Sequence, residues 1–155
     1  MTDEILKISA DDFSSFAREN LTKGVTIRFR AHGRSMYPAI HNGDIITISP
    51  INTHGIKRGD IILYRTDAIN GLIAHRVIKI KPHKSDKIIY TRGDASGGEL
   101  EQVKEKNILG KATHIEHDGK TLRIDTLKAR TKGQLWFLRQ SLRHLYNKLN
   151  KKLKS

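Results

Sequence analysis

The sequence predicts a mainly β protein with a helix at each end. Residues 25–126 contain short β-branched runs separated by turn residues, a pattern typical of antiparallel sheets. Before them, residues 9–22 carry apolar side chains at helical spacing, and after them leucines recur every three or four positions. We therefore divide the 155 residues into an N-terminal helical segment (1–24), a β-rich domain (25–126) and a basic amphipathic C-terminal helix (127–155).

The N-terminal helix is predicted over residues 9–22. Ser9 is a suitable N-cap, and acidic residues follow it in the first turn. Phe13 and Ala17 lie on the apolar stripe, and Gly24 ends the helix. We expect this helix to cover one side of the core, and we assign it no chemistry.

The strands are recognised as alternating or β-branched runs. The candidate strands are 25–29, 45–48, 61–64, 73–80 and 88–90. Asp44 and Asp60 each follow a glycine and precede such a run, so we interpret both as turn residues that feed strands. The Asp118-Gly119 pair predicts a hairpin between two further strands.

A serine on a tight turn is the candidate nucleophile. Residues 33–40 read GRSMYPAI and follow the first strand. Gly33 removes a side chain where the backbone must approach a substrate, and Pro38 disfavours a helix at the residue before it. Such a turn presents Ser35 Oγ to a substrate and leaves the Ser35 N–H free to stabilise an oxyanion.

A histidine and a carboxylate follow the serine along the chain. His75 lies in the run LIAHRVI, and a histidine accepts a proton at neutral pH without deep burial. The alternative for His75 is a structural hydrogen bond on a strand. Asp94, in GDAS, either orients His75 and stabilises the imidazolium or holds the turn at Gly93. Glu99 is the reserve for the orienting acid, and Glu101 flanks the same region.

These residues resemble the signal peptidase I superfamily, which also includes the self-cleaving SOS-type repressors. The resemblance covers roughly residues 25–115: an S-M-x-P box with Ser35, two G-D-I-hydrophobic runs, and a G-D box with Asp94. Bacterial members and the repressors use a lysine as general base. His75 is similar to the archaeal and endoplasmic-reticulum branch, in which histidine replaces that lysine.

The resemblance implies a fold of coiled β-sheets and a serine endopeptidase that cleaves leader or precursor peptides, such as a specialised maturation peptidase. It also implies that Gly33, Met36 and Pro38 border the substrate. Many bacterial signal peptidases carry a serine two residues before the nucleophile; this chain has Gly33 there, so a second oxyanion donor is not identified.

Two other functional classes share the same fold. One is a self-cleaving regulator that binds nucleic acid or membrane through a basic tail. The 24 residues before the first strand are too few for a helix-turn-helix domain, which counts against it. The other is a non-catalytic binding module, against which the intact Ser35 and His75 count.

Composition limits the location and the cofactors. No stretch approaches the roughly 18 apolar residues of a membrane span, and the N-terminus lacks a basic region followed by an apolar core. We therefore expect no transmembrane segment, no signal peptide and a cytoplasmic protein, at most peripheral at the membrane. The absence of cysteine excludes disulfides and thiolate metal sites. His114 and His117 have the spacing of a metal pair but no other clear ligand, so we predict no metal and no cofactor.

The C-terminal helix carries most of the net charge. Residues 127–155 hold nine Lys or Arg and no acid, whereas the rest holds 20 bases and 16 acids, so nine of the +13 charges lie here. The apolar stripe consists of Leu135, Leu138, Leu142, Leu145 and Leu149. With Trp136 and Tyr146 it suits an anionic membrane surface; the alternative is packing on the β domain or a partner helix. No nucleic-acid recognition motif accompanies the charge, so we do not expect nucleic acid.

Overall fold

The computed structural model describes residues 9–52, 55–66, 71–83 and 86–153. Helices and strands follow in the order α1 (Ala10–Thr22), β1 (Ile27–Arg30), β2 (Ile45–Ser49), β3 (Ile61–Arg65), β4 (Leu72–His83), β5 (Asp86–Arg92), β6 (Glu101–Lys104), β7 (Ile108–His117), β8 (Lys120–Arg123) and α2 (Leu127–Leu153). The predicted fold class, mainly β with a helix at each end, is confirmed.

The strands of the described ranges form one curled antiparallel sheet. Their order is β1-β2-β7-β3-β4-β5-β6, and β8 pairs with the free part of β7. Register shifts where β7 pairs with β2 and β3, and where β4 pairs with β5, mark bulges, which bend strands and increase their twist. The predicted hairpin connects β7 to β8 through Asp118 and Gly119, with φ angles of +48° and +71°.

Strand β3 lies in the middle of the sheet and is buried on both faces. Ile61 and Leu63 point into one apolar cluster, which α1 covers. Ile62 and Tyr64 point into a second cluster on the opposite face. Alternation along a strand therefore places successive residues in different surroundings, and the same rule separates the functional groups on the neighbouring strand β4.

Helix α1 has the predicted beginning and end. The Ser9 hydroxyl accepts a hydrogen bond from the Asp12 N–H at 3.1 Å, which satisfies one free donor of the first turn. Gly24, with a φ of +81°, follows the helix and turns the chain toward β1. Ala17 and Leu21 are buried, so the helix covers one side of the core as predicted.

Two glycine–aspartate turns lead into β2 and β3. Gly43 and Gly59 adopt φ angles of +98° and +90°, which glycine accepts without steric cost. In both turns the aspartate carboxylate accepts the backbone N–H three residues upstream, at 2.7 Å for Asp44 and 2.9 Å for Asp60. These contacts agree with the turn-forming role predicted for both aspartates.

The first half of α2 packs on the sheet through polar and small residues. Arg130 Nη1 lies 3.3 Å from the Asp60 carboxylate, and Trp136 Nε1–H donates to the Asp94 carbonyl at 3.3 Å. A Cβ on Gly133 would lie 2.3 Å from Cζ of Arg76, so the glycine lets the helix rest against this guanidinium. Among the side chains of α2 that the structure describes, charged and hydrogen-bonding groups rather than leucines therefore join the helix to the sheet.

The leucine stripe points away from the domain over the part that the structure describes. Leu135, Leu138 and Leu142 are 63, 55 and 58% exposed. The side chains of Leu145 and Leu149 lie outside the described set, as do residues 1–8, on which the prediction of no export signal rests. Within the described ranges, neither helix has the length and apolar character needed to cross a bilayer.

Candidate active site

Ser35 is exposed on a well-anchored turn between β1 and β2. Gly33, two residues earlier, has a φ of +97° and donates its N–H to Asn42 Oδ1 at 3.0 Å, which closes the loop. The Ser35 carbonyl accepts the Ala95 N–H at 2.9 Å, so the turn is also fixed to the segment after β5. Within the described ranges the Ser35 N–H has no hydrogen-bond acceptor, as an oxyanion donor requires.

Gly93 connects the surroundings of Ser35 with those of His75. A Cβ on Gly93 would lie 2.5 Å from the Ser35 carbonyl oxygen and 3.0 Å from Ser35 Cβ, so only glycine permits this approach. Arg76 pairs with Arg92 across β4 and β5; His75 precedes the first of these residues and Gly93 follows the second. The turn that carries Ser35 therefore packs against the end of β5, next to the part of β4 that carries His75.

Tyr64 selects the tautomer of His75. Its hydroxyl donates its single proton to the Glu101 carboxylate and accepts the Thr91 hydroxyl proton at 3.0 Å. The same oxygen lies 3.3 Å from His75 Nδ1, toward which it has only a lone pair left. The arrangement favours a proton on Nδ1, which leaves the lone pair of His75 on Nε2. A neutral histidine in this form is suited to accept a proton.

Burial keeps the His75 imidazole neutral. The side chain is buried, and desolvation lowers its pKa below the ordinary histidine value, partly opposed by the negative charges of Glu101 and, to a lesser extent, Asp94. Glu101 Oε2 lies 3.8 Å from Nδ1. Burial and the hydrogen bond to Glu101 raise the pKa of Tyr64 far above its usual range, so this hydroxyl stays protonated.

Asp94 has a partner other than His75. Its two carboxylate oxygens accept from Arg76 Nε at 2.7 Å and Nη2 at 2.6 Å, and both residues are buried. Arg76 follows His75 on β4 and therefore projects to the opposite face, toward α2. Asp94, predicted to orient His75, thus reaches the imidazole only through its charge, and the carboxylate beside Nδ1 belongs to Glu101.

The remaining predicted residues occupy different positions. Met36 is buried in the core with Ile40, which gives it a packing role, whereas Gly33 is exposed and Pro38 half-buried on the turn that carries Ser35. Glu99 is exposed in the loop before β6. The contacts of these residues with a substrate, and the role of Glu99 as an acid, stay predictions.

Two residues of the site were not found by sequence reasoning. Tyr64 lies in an apolar strand and belongs to no sequence motif of catalytic residues. Only the register of β3 against β4 places it on the same face as His75. Arg76 offered a signal, because a charged residue inside an apolar strand is seldom buried without a partner. That signal points to Asp94 as an ion-pair partner rather than as a catalytic acid.

Comparison with known proteins finds a local similarity to signal peptidases. The chain is 33% identical over 61 residues to the signal peptidase complex catalytic subunit SEC11C of Homo sapiens, Mus musculus and Canis lupus familiaris. The matching stretch covers 39% of this chain and 32% of each relative's length. No family model matches the chain. The similarity supports membership in a signal-peptidase-like superfamily, and the matched stretch is about a third of the length of these relatives.

Proposed function

We propose that this protein is a serine endopeptidase of the signal-peptidase type that cleaves leader or precursor peptides. Ser35 is the nucleophile, and His75 is the general base and later the general acid. The observation that supports the proposal most is the hydrogen-bond pattern at His75, which favours a proton on Nδ1 and so leaves Nε2 available to accept the Ser35 proton. A histidine whose pKa is shifted by burial and by a neighbouring carboxylate is typical of functional sites, which favours this role over a purely structural hydrogen bond.

The proposed reaction has two halves with balanced proton transfers. Ser35 Oγ attacks the scissile carbonyl carbon while its proton moves to His75 Nε2, and the Ser35 N–H stabilises the oxyanion. The imidazolium then gives this proton to the leaving amine as the C–N bond breaks. In the second half, His75 takes a proton from water as the water oxygen attacks the carbonyl carbon of the acyl-enzyme ester. The imidazolium then returns this proton to Ser35 Oγ as the ester bond breaks and the acid product leaves.

Glu101, rather than Asp94, takes the orienting role in this mechanism. Its carboxylate accepts the Tyr64 proton, and the Tyr64 oxygen receives the Nδ1–H of His75. When Nε2 is protonated, the negative charge of Glu101 near Nδ1 stabilises the imidazolium. Asp94 instead neutralises the buried Arg76 and so fixes the segment after β5 to β4.

The experiment is peptide profiling by mass spectrometry with a diverse peptide pool. Wild type is compared with Ser35→Ala and with Ser15→Ala, which removes an exposed serine hydroxyl on α1 as a matched control. We expect the same cuts from wild type and Ser15→Ala and none from Ser35→Ala. Equal cutting by Ser35→Ala, or no cutting by wild type, would contradict the proposal.

We also propose that α2 brings the peptidase to anionic membranes as a peripheral contact. Its exposed leucines lie on a segment with nine Lys or Arg and no acid, a combination that suits the boundary of an anionic bilayer. Because the domain side of the helix is already engaged through residues such as Arg130 and Trp136, the leucine face remains open to lipid.

Co-sedimentation of the full chain with phosphatidylglycerol vesicles tests this contact. We expect binding by wild type to be lost in a Leu138→Glu/Leu142→Glu variant and in high salt. Leu122→Glu, which changes an equally exposed leucine on β8, is the matched control and should bind like wild type. Unchanged pelleting of the double variant would contradict a leucine-mediated membrane contact.

A further inference from the structure

A second cluster of reactive side chains lies away from the hydrogen bonds of His75. His41 and Asp44 come from the turn before β2, and His117 ends β7. His117 Nδ1 lies 2.6 Å from Asp44 Oδ1, and His41 Nδ1 lies 3.6 Å from Asp44 Oδ2. One ligand atom from each of the three residues lies within 4.8 Å of the others.

These separations are close to those of a metal coordination shell. With bonds of ~2.0–2.1 Å in a tetrahedral zinc site, neighbouring ligand atoms lie about 3.3 Å apart. Small side-chain rotations of His41 and His117 would therefore bring both nitrogens and one oxygen to bonding distance around one ion. Two imidazoles and a carboxylate suit zinc and similar transition metals, whereas magnesium and calcium prefer oxygen ligands alone.

The cluster is held in place by contacts that do not depend on a metal. Asp44 is only 4% exposed, and its Oδ2 accepts the His41 N–H at 2.7 Å, which fixes the carboxylate. The rings of His41 and His117 stack with centroids 4.4 Å apart, and each has its Nδ1 near the Asp44 carboxylate. His41 also meets the Tyr37 ring edge-on at 5.1 Å. Such preorganisation reduces the conformational cost of binding an ion.

A carboxylate beside the second ring nitrogen of His117 independently favours a metal site. Its second ring nitrogen, Nε2, lies 3.3 Å from the carboxylate of Asp118 in the β7–β8 hairpin. Metal-bound histidines usually give their other N–H to a carboxylate, which fixes the ring and strengthens the ligand. The side chains of His41 and His117 are partly exposed, so an ion and a water ligand can reach the site from solvent.

We propose that His41, Asp44 and His117 bind a divalent transition metal, zinc being the reference ion, with solvent in the fourth position. The ion would join the turn before β2 to the β7–β8 hairpin. Because His41 follows Ser35 by six positions, the metal would hold the nucleophile-bearing segment against the sheet. The site uses neither Ser35 nor His75 and does not depend on the proposed peptidase activity.

The test is titration calorimetry of the full chain with zinc chloride, after treatment with a chelator, near neutral pH. The chain has eight histidines, so the site must be mapped with variants. We expect one saturable site in wild type, weakened at least tenfold in both His117→Gln and His41→Gln. His114→Gln is the matched control: it lies on the same strand, and its Nδ1 contacts the neighbouring Thr113 hydroxyl instead.

A second measurement distinguishes a loss of zinc binding from misfolding of a variant. Zinc should raise the thermal midpoint of wild type and His114→Gln but not that of His117→Gln, because only a bound folded state gains stability by mass action. Circular dichroism confirms that each variant is folded before titration. The proposal would be overturned if wild type showed no saturable binding, or if His117→Gln and His41→Gln bound zinc as tightly as wild type. The three side chains would then form hydrogen bonds only.

Discussion

His75 and Arg76 are neighbours on β4 and yet lie in opposite chemical surroundings. On one face, His75 meets Tyr64 and Glu101, and burial lowers its pKa so that it is neutral. On the other face, Arg76 forms a two-bond ion pair with Asp94 beneath α2. The alternation of a single strand thus separates a group suited to exchange a proton from a pair of opposite charges that neutralise each other.

The two faces of β4 give the two nearby carboxylates, Asp94 and Glu101, different partners. Asp94 matches the motif order on which the resemblance to signal peptidases rests. Motif order does not determine, however, to which face of the sheet a side chain projects. The face that holds His75 has its own carboxylate in Glu101. The comparison therefore predicts that variants on the His75 face affect turnover first, whereas variants on the Arg76 face affect stability first.

The largest effect is expected from removing the proposed base. His75→Gln should lower kcat/KM by roughly 10²- to 10⁴-fold, the usual contribution of a general base. The unfolding midpoint should change little, since glutamine retains a donor and an acceptor for Tyr64. His32→Gln alters an exposed histidine three residues before Ser35 and should cleave peptides like wild type. Full activity of a folded His75→Gln protein would remove the catalytic assignment.

The next effect concerns stability on the opposite face. Arg76→Met leaves the buried Asp94 carboxylate without its cation and should lower the free energy of unfolding by ~3–5 kcal/mol. Urea denaturation measures this loss. The exposed Arg139→Met is the control and should stay within ~0.5 kcal/mol of wild type. A decrease in the free energy of unfolding below ~1 kcal/mol for Arg76→Met would mean that the ion pair with Asp94 contributes little to stability.

The pH dependence of cleavage should report the lowered pKa of His75. Activity requires the neutral imidazole, so kcat/KM should stay high below the ordinary histidine pKa and decline only at more acidic pH. For stability, the unfolded chain binds the extra proton first, so the contribution of His75 falls as pH drops from about 6.5 toward its folded pKa. An acid limb centred above pH 6.5 would contradict the effect of burial.

A smaller and more selective effect is expected at Glu101. Glu101→Gln removes the nearest negative charge, so the pKa of His75 should fall further and the acid limb should move to lower pH. A histidine titration followed by NMR in wild type and variant measures this shift. Glu99→Gln removes a carboxylate from the exposed loop and should leave the titration unchanged. A rise of the pKa in Glu101→Gln would refute the assigned interaction.

Local patterns predicted much of the fold because they are decided within a few residues. The cap at Ser9, the Asp118-Gly119 hairpin and the turns at Asp44 and Asp60 all follow from short-range backbone chemistry. The leucine periodicity of 127–155 likewise predicted a helix. None of these features depends on which strands pair.

The site depends on pairing and could be predicted only in part. The motif identified Ser35 and His75 as candidates, but Tyr64 reaches His75 through the register of β3 and β4. The bond between Asp44 and His117 joins residues 73 positions apart, which no local pattern reveals. Along the chain, only His114 has the spacing of a second metal ligand beside His117, and no other clear ligand accompanies that pair. The sheet instead brings Asp44 and His41 to His117.

The most direct test of this account is kcat/KM of Asp94→Asn beside that of Glu101→Gln, on one peptide selected from the pool and corrected for the folded fraction. Both substitutions remove one negative charge near His75, but only Glu101 is hydrogen-bonded to the hydroxyl that faces Nδ1. We predict a loss of roughly 10- to 100-fold for Glu101→Gln, the scale seen for groups that orient working histidines, and a smaller loss for Asp94→Asn. A greater loss of activity per folded molecule in Asp94→Asn would contradict the separation of the two faces.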